Sequence, residues 1–344
     1  MLYQLSYTPR PRREIAARGW GRKGHGIPPR HLHRRPNVSS GIMVHDVDTV
    51  LAKLDWMRAE RIWPNGLRYL WTDAFGVLLY LSLFEDSGEA RYLDEAEQLV
   101  AEVERVLGRP RGLRIGQAPD RDGQYFHYLA MWLFALARLG DHKPDYRDRG
   151  IALARDIHTA FVVPGVGVIW KMKEDLSGAY PGYGFGALDA FDGYVSYRLL
   201  DEEALATEIS EMRALIEGQY RQLDVDQDLG LGMMLWLAHF FPDEDWARVQ
   251  TARSLAALDR LWVEPPGFFG RASYAPHMRI AFANYGVSVG LQAAGQWPQR
   301  VDALNAYFDV YRSGDEYDRE AITHVMACSS HLPGVLIKSP SLVS

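Results

Sequence analysis

The chain has 344 residues, 47% hydrophobic and 24% charged, with 10 Trp, 18 Tyr and 13 Phe, a composition that excludes a mainly disordered protein. Its longest apolar run, residues 77–84, falls well short of the roughly 20 needed to cross a bilayer, so no membrane partner is expected. Net charge is −6, yet residues 1–40 hold nine Lys or Arg against the single acid Glu14. The rest of the chain therefore carries −14, which argues against a nucleic-acid partner.

Residues 1–42 are expected to form a basic, disordered arm, or to lie ahead of the true start, because Met43 sits just before the first helical pattern. The arm has no apolar stretch of the secretory kind. Cys328 is the single cysteine, which leaves no intrachain disulfide or thiolate zinc cluster and suits a reducing, cytoplasmic setting.

From residue 43 to 335 the apolar periodicity is helical almost throughout, and residues 336–344 read as a tail. It predicts helices over 46–61, 73–86, 88–108, 124–140, 144–161, 189–200, 202–220, 227–241, 243–262, 281–293, 296–312 and 315–329. End signals support several of them. Gly108 and Pro110 close the third, Gly140 ends the fourth, and Pro144 opens the fifth where a missing N–H costs nothing.

The helices alternate in character. Odd ones are amphipathic: the third places Leu93, Ala96, Leu99, Val100, Val103 and Val106 on one face. Even ones, such as Ala74 to Leu81, Tyr128 to Ala135 and Leu231 to Leu237, are apolar nearly all round and have to be covered on every side. Odd helices start near residues 46, 88, 144, 202, 243 and 296, a mean spacing of 50 that marks a repeated helical hairpin. Six enclosed helices inside six half-enclosed ones, with no polar cap at either end, predict an all-α (α/α)6 toroid.

The connections place the site. Links from inner to outer helices are short, whereas 62–72, 109–123, 162–188 and 263–280 are long and share one rim, above the inner-helix N-termini. Those links and helix starts bring carboxylates together with aromatic and basic residues. Asp73, Asp122 and Asp192 are candidate acid and base groups; Asp73, Asp189 and Asp228 also stand where helix-capping acids do. His127 lies one turn into an inner helix and His324 lies within another. Arg68, Trp71, Arg114, Tyr125, Trp170, Lys171, Asn284 and Tyr285 are candidate substrate contacts, with aromatic faces for sugar C–H surfaces and cations for an acidic group. No zinc, P-loop or nucleophile-elbow motif occurs, and Asp224-Val225-Asp226-Gln227-Asp228 lacks the glycine turn and terminal Glu of a calcium loop, so neither metal nor cofactor is expected.

On these hairpins, loops and residues the chain resembles the six-hairpin glycosidase-like superfamily, whose members share the (α/α)6 toroid. The resemblance implies a sugar or oligosaccharide substrate. Unsaturated uronyl hydrolases in that group use aspartates at inner-helix starts, and Asp73 and Asp122 are the nearest positional matches. The related N-acylglucosamine 2-epimerase and cellobiose epimerase fold uses paired histidines, for which His127 and His324 are the counterparts. Three functions stay open: a glycoside hydrolase, with Asp122 or Asp192 as acid and Asp73 activating water; an epimerase or isomerase on His127 and His324; and a carbohydrate-binding protein without catalysis.

Overall fold

The even helices consist of residues that have to be enclosed. α2 (Leu70–Ser87) buries every residue from Leu70 to Leu83, α4 (Phe126–Gly140) is buried along its whole length, and α8 (Asp228–Ala238) is buried beyond Asp228. Together with α6 (Asp189–Leu200), α10 (Ala281–Ala293) and α12 (Ala321–His331) they form the inner ring. The computed structural model describes residues 46–339, apart from 276, 277, 315 and the side chain of Glu316; the 1–42 arm lies outside the described residues. Within it α2 packs on α4, α4 on α6, α6 on α8, α8 on α10 and α10 on α12, and α12 returns to α2 to close the ring.

The outer helices are α1 (Val47–Ala59), α3 (Ala90–Leu107), α5 (Asp145–Phe161), α7 (Ala206–Gln219), α9 (Asp245–Leu261) and α11 (Pro298–Val310). Each covers the inner helix before it, and α1 covers α12, so the first helix seals the last hairpin. The architecture is the (α/α)6 toroid. All twelve expected helices are present, and none described is long and apolar enough to cross a membrane.

Two details depart from the periodicity. The buried face of α3 is Tyr92, Ala96, Leu99, Val100, Val103 and Leu107, with Leu93 and Val106 only half-buried. The stripe is turned by one residue because Tyr92 and Leu107 continue the i, i+3, i+4 row that Ala96 to Val103 define. The twelfth helix starts at Ala321, not 315, after a 3-10 turn over Glu316–Arg319. The long links also contain antiparallel pairs too short to show a period of two. β1 (Gln124–Tyr125) pairs with β4 (Lys171–Met172), β2 (Val162–Val163) with β3 (Gly167–Val168), and β5 (Trp262–Val263) with β6 (Phe268–Phe269).

One end of the ring is closed by the chain itself. Leu332, Val335 and Leu336 are buried against the C-terminal ends of inner helices. Trp236 Nε1 donates to the Leu336 carbonyl at 2.7 Å, the Val335 amide donates to Ser82 Oγ at 3.1 Å, and Lys338 pairs with Glu85 at 2.8 Å. The segment from 336 to 338, which reads as tail in the sequence, is part of this floor. The opposite rim, with the long links, is left to function.

α8 and α10 approach through glycines. A Cβ on Gly232 would lie 2.5 Å from Val287 Cα and 2.7 Å from the Gly286 carbonyl, and one on Gly290 would meet the Gly232 carbonyl. Backbone cannot yield as a side-chain tip can. Gly232→Ala is therefore expected to lower stability by about 3 kcal/mol in urea unfolding. Gly218→Ala, on exposed α7 with open space around it, is expected to raise stability by about 0.5–1 kcal/mol. Equal losses at both positions would rule out the close crossing as the cause.

Candidate active site

The first long link folds back onto α2 and locks there. Trp63 lies over Gly76, which has no Cβ to obstruct the indole, and its Nε1 donates to Asp73 Oδ1 at 2.9 Å. The Tyr69 amide donates to Asp73 Oδ2 at 3.0 Å, satisfying a donor that a helix start otherwise leaves unpaired. Arg68 Nη1 stands 3.3 Å from Asp73 Oδ1, both side chains being 1% exposed, and Arg68 Nη2 donates to the Pro64 and Gly66 carbonyls. Burial pushes the Asp73 carboxyl up to about 6, with Arg68 and Trp63 opposing the rise. Arg68 and Asp73 thus face each other beneath the link, with their hydrogen-bonding capacity directed into protein.

The second and third links meet over the N-terminus of α4. Antiparallel pairing sets Tyr125 opposite Lys171, which brings Trp170 beside Tyr125. Gly123, at φ 76°, makes the approach possible: a Cβ there would lie 2.7 Å from the Met172 carbonyl and 2.8 Å from Lys171 Cε. The rings of His127, Tyr125 and Trp170 follow one another in near-parallel orientation, with centroids 5.4 and 5.5 Å apart. Trp71 from α2 meets His127 edge-on at 5.9 Å, and Tyr183 covers Trp170 at 5.2 Å. Lys171 Nζ sits 3.9 Å above the Tyr180 ring and 3.3 Å from Asp122 Oδ1, while the Tyr180 hydroxyl donates to Asp122 Oδ2 at 2.6 Å. Burial raises the Asp122 carboxyl, but Tyr180, Lys171 and Arg114 outweigh it and hold the group below its ordinary value. Asp122 is therefore ionised at neutral pH.

Two further carboxylates stand at the start of α6. Asp189 is fully buried, and its Oδ1 stands 3.8 Å from His127 Nδ1. Burial drives its pKa upward and His127 opposes the rise. Asp192, three residues on and on the same side of the helix, has one carboxylate oxygen fully enclosed. Burial first, and then the Asp189 charge, hold its carboxyl well above the ordinary range. The surroundings of Asp192 thus favour its neutral form and those of Asp122 the charged one. Adjacent inner helices direct their N-termini to the same place, which favours negative charge on the rim.

The remaining candidates lie elsewhere. Asn284 is fully buried and pairs both its amide groups with Phe269, tying β6 to α10. Arg114 pairs with Glu174 at 2.8 Å. His324 donates from Nε2 to the Asp318 carbonyl at 3.0 Å and meets Trp56 of α1 edge-on at 4.6 Å; Tyr285 lines the same cavity. His127 and His324 thus belong to separate clusters. Asp224 and Asp226 are exposed, and Asp228 accepts from its neighbour's amide, Leu229 N, at 2.9 Å. Among the described residues no group of three or more His, Cys, Asp or Glu is placed to hold a metal ion.

No protein-family model and no curated protein matches the sequence. Solved structures do match. A D-mannose isomerase superposes with a TM-score of 0.60 at 12% identity, over 86% of this chain and 100% of the other. A GH76 α-mannanase from Bacteroides thetaiotaomicron gives 0.59 at 10% identity, over 83% and 95%. A cellobiose 2-epimerase from Spirochaeta thermophila DSM 6192 gives 0.55 at 13%, over 79% and 87%. The fold shared with these structures is the (α/α)6 toroid. At such identities the likeness extends to the toroid and not to its chemistry.

Within this toroid the rim gathers Trp71, Asp122, Tyr125, His127, Trp170 and Lys171, with Asp189 and Asp192 behind them. Sequence reasoning reads Asp189 as a capping acid and passes over Tyr180 and Tyr183. The Asp189/Asp192 spacing, three residues apart at an inner-helix start, was the available signal; the two tyrosines sit in a Gly/Tyr-rich stretch without periodicity. Removing one partner of a buried ion pair strands the other, at a cost of about 3–5 kcal/mol. Asp73→Ala and Arg68→Met are each expected to lose stability in that range by urea unfolding, and Arg68→Met with Asp73→Leu together to regain part of it. An unfolding midpoint unchanged in Asp73→Ala would show that the lock does not hold the link.

Proposed function

We propose that the chain is a carbohydrate-active enzyme working at the rim between α4 and α6, and that it hydrolyses a glycosidic bond. The observation that carries this reading is the placement of Asp192, one oxygen of which is enclosed, three residues after Asp189, whose Oδ1 stands 3.8 Å from His127 Nδ1. Hydrolysis needs a group that holds a proton at neutral pH to give to the leaving oxygen, and a second group to take one from water. Asp192 is the acid. His127, oriented by Asp189, is the base. Water oxygen bonds to the anomeric carbon, its proton goes to His127, and the departing sugar oxygen takes the Asp192 proton. Trp170, the half-buried ring at the end of the stack, offers a face for a pyranose ring, and Lys171 with ionised Asp122 holds hydroxyls or a uronate. A binding protein without catalysis has no need of a desolvated carboxyl that retains its proton.

A second reading rests on a histidine, not a carboxylate, standing opposite the acid. His127 would remove a carbon-bound proton next to a sugar carbonyl while Asp192 protonates the carbonyl oxygen, giving an enediol that collapses to an isomer. Two of the matching solved structures, the D-mannose isomerase and the cellobiose 2-epimerase, support keeping it. This reading uses His127 alone, because His324 sits in a different cluster.

Neutral, N-acetylated and uronic-acid saccharides incubated with the protein in H2(18)O and in D2O separate the readings by mass spectrometry. Fragments carrying one heavy oxygen are expected. Asp192→Asn is expected to lower that rate by about a thousandfold and to abolish the alkaline fall in the rate–pH profile, since that fall marks loss of the Asp192 proton. Deuterium on carbon without fragmentation, lost in His127→Gln, would establish isomerisation instead. No change in any saccharide would overturn both.

A further inference from the structure

A cavity of about 470 Å³ opens at the seam of the ring, where α1 and α11 straddle the N-terminus of α12. None of the groups assigned to the rim chemistry lines it. Its volume lies within the ordinary range for small-molecule sites. Trp56, 38% exposed, Tyr285 and Phe308 form aromatic walls, and Ile280 and Ala281 add apolar surface.

The charges in this cavity do not balance. Among the described lining residues three cations, Lys53, Arg279 and Arg312, meet two carboxylates, Asp309 and Asp318. Both carboxylates are already engaged. Asp309 pairs with His331 Nε2 at 3.1 Å, and Asp318 accepts from the Ser313 amide at 2.7 Å, the Ser313 hydroxyl at 2.8 Å and the Gly314 amide at 2.8 Å. Arg279 donates to the Tyr307 hydroxyl at 2.8 Å and the Tyr274 carbonyl at 3.3 Å, and Arg312 to the carbonyls of Tyr311 and Asp309. Lys53 is half-buried and makes no hydrogen bond or ion pair with a described residue.

His324 registers the excess positive charge. Burial lowers its pKa, and although the Asp318 carbonyl opposes this, Lys53 and Arg312 lower it further, to about 4. The imidazole is neutral at physiological pH and adds no cation; Arg279 and Arg312 donate to neutral oxygens, and of the three cations only Lys53 has neither a hydrogen bond nor an ion pair among the described residues.

We propose that this cavity is a binding site for a small aromatic carboxylate, its anionic end on Lys53 and its ring between the walls of Trp56, Tyr285 and Phe308. A single ammonium is a weak anchor for a compact dianion such as phosphate, whereas the aromatic walls reward burial of a flat apolar body. A sugar suits the cavity less well, because the carboxylates and Arg279 that would hold hydroxyls are already bonded. The proposal stands apart from the rim chemistry and from its failure or success.

Isothermal titration calorimetry on the full chain at neutral pH tests it with three probes: indole-3-acetate, its neutral amide, and inorganic phosphate. Indole-3-acetate is expected to bind, with the amide and phosphate each weaker by about tenfold or more. Lys53→Met is expected to bring the acid down to the level of the amide while leaving the amide unchanged, and Trp56→Ala to weaken both. Asp192→Asn is expected to bind indole-3-acetate as the native chain does. Equal binding of acid and amide, native affinity in Lys53→Met, or no heat from indole-3-acetate at about 5 mM would each overturn the proposal. Matching thermal unfolding of Lys53→Met and the native chain excludes misfolding as the cause of any loss.

Discussion

Everything in this fold follows from helices that cannot face water on any side. α2, α4 and α8 bury residues around their whole circumference. Such a helix is stable only when neighbours cover it in every direction. Two inner neighbours and one outer helix meet that requirement when the inner helices close on themselves, and closure needs α12 against α2 and α1 against α12. The ring is therefore a consequence of apolar content and not of any single contact. Where backbones must come closest, between α8 and α10, side chains disappear at Gly232 and Gly290.

A ring also has two ends, and the chain treats them differently. At the inner-helix C-terminal end the segment from Leu332 to Lys338 hydrogen-bonds to α2 and α8 and excludes solvent with Val335 and Leu336. At the other end the inner helices direct unpaired amides and positive dipole ends toward the long links. Carboxylates collect there for that reason, and the same residue type then takes on different properties by environment. Asp73, sealed under a link with Arg68, serves the fold. Asp122, in reach of Tyr180 and Lys171, stays ionised. Asp192, desolvated and next to Asp189, is pushed toward its neutral form. Separating protonation states among like groups is what acid–base chemistry requires.

The ring was legible in the sequence because apolar periodicity is a repeated signal, summed over twelve segments and a hairpin spacing of about 50. Local features escaped where no such sum exists. β1 and β4 are two residues long, so the pairing that sets Tyr125 opposite Lys171 has no pattern to read. Arg68 and Asp73 look like exposed rim residues in a link rich in Trp and Arg, and only the fold reveals that Trp63 on Gly76 roofs them over. Asp189 is indistinguishable from a capping acid until His127, 62 positions earlier in the chain, is brought to 3.8 Å from it. His127 and His324 hold similar places on their own helices, which made a pair plausible. Their partners then differ: aromatic rings and Asp189 for one, Trp56 and a backbone carbonyl for the other.

Toroids of this kind include an isomerase, an epimerase and a mannanase among the matching structures, so the scaffold leaves the reaction to the rim. What the two readings of this rim share is an acid that keeps its proton and a base fixed by a buried carboxylate. What separates them is the atom placed before His127. A water there, beside an acetal oxygen at Asp192, gives hydrolysis; a carbon-bound hydrogen there, beside a carbonyl oxygen at Asp192, gives isomerisation. On either reading substrate position decides between these, and the groups proposed to set it are the half-buried ring of Trp170 and the cation of Lys171. On both readings the reaction would be determined as much by the residues that hold the substrate as by those that move its protons.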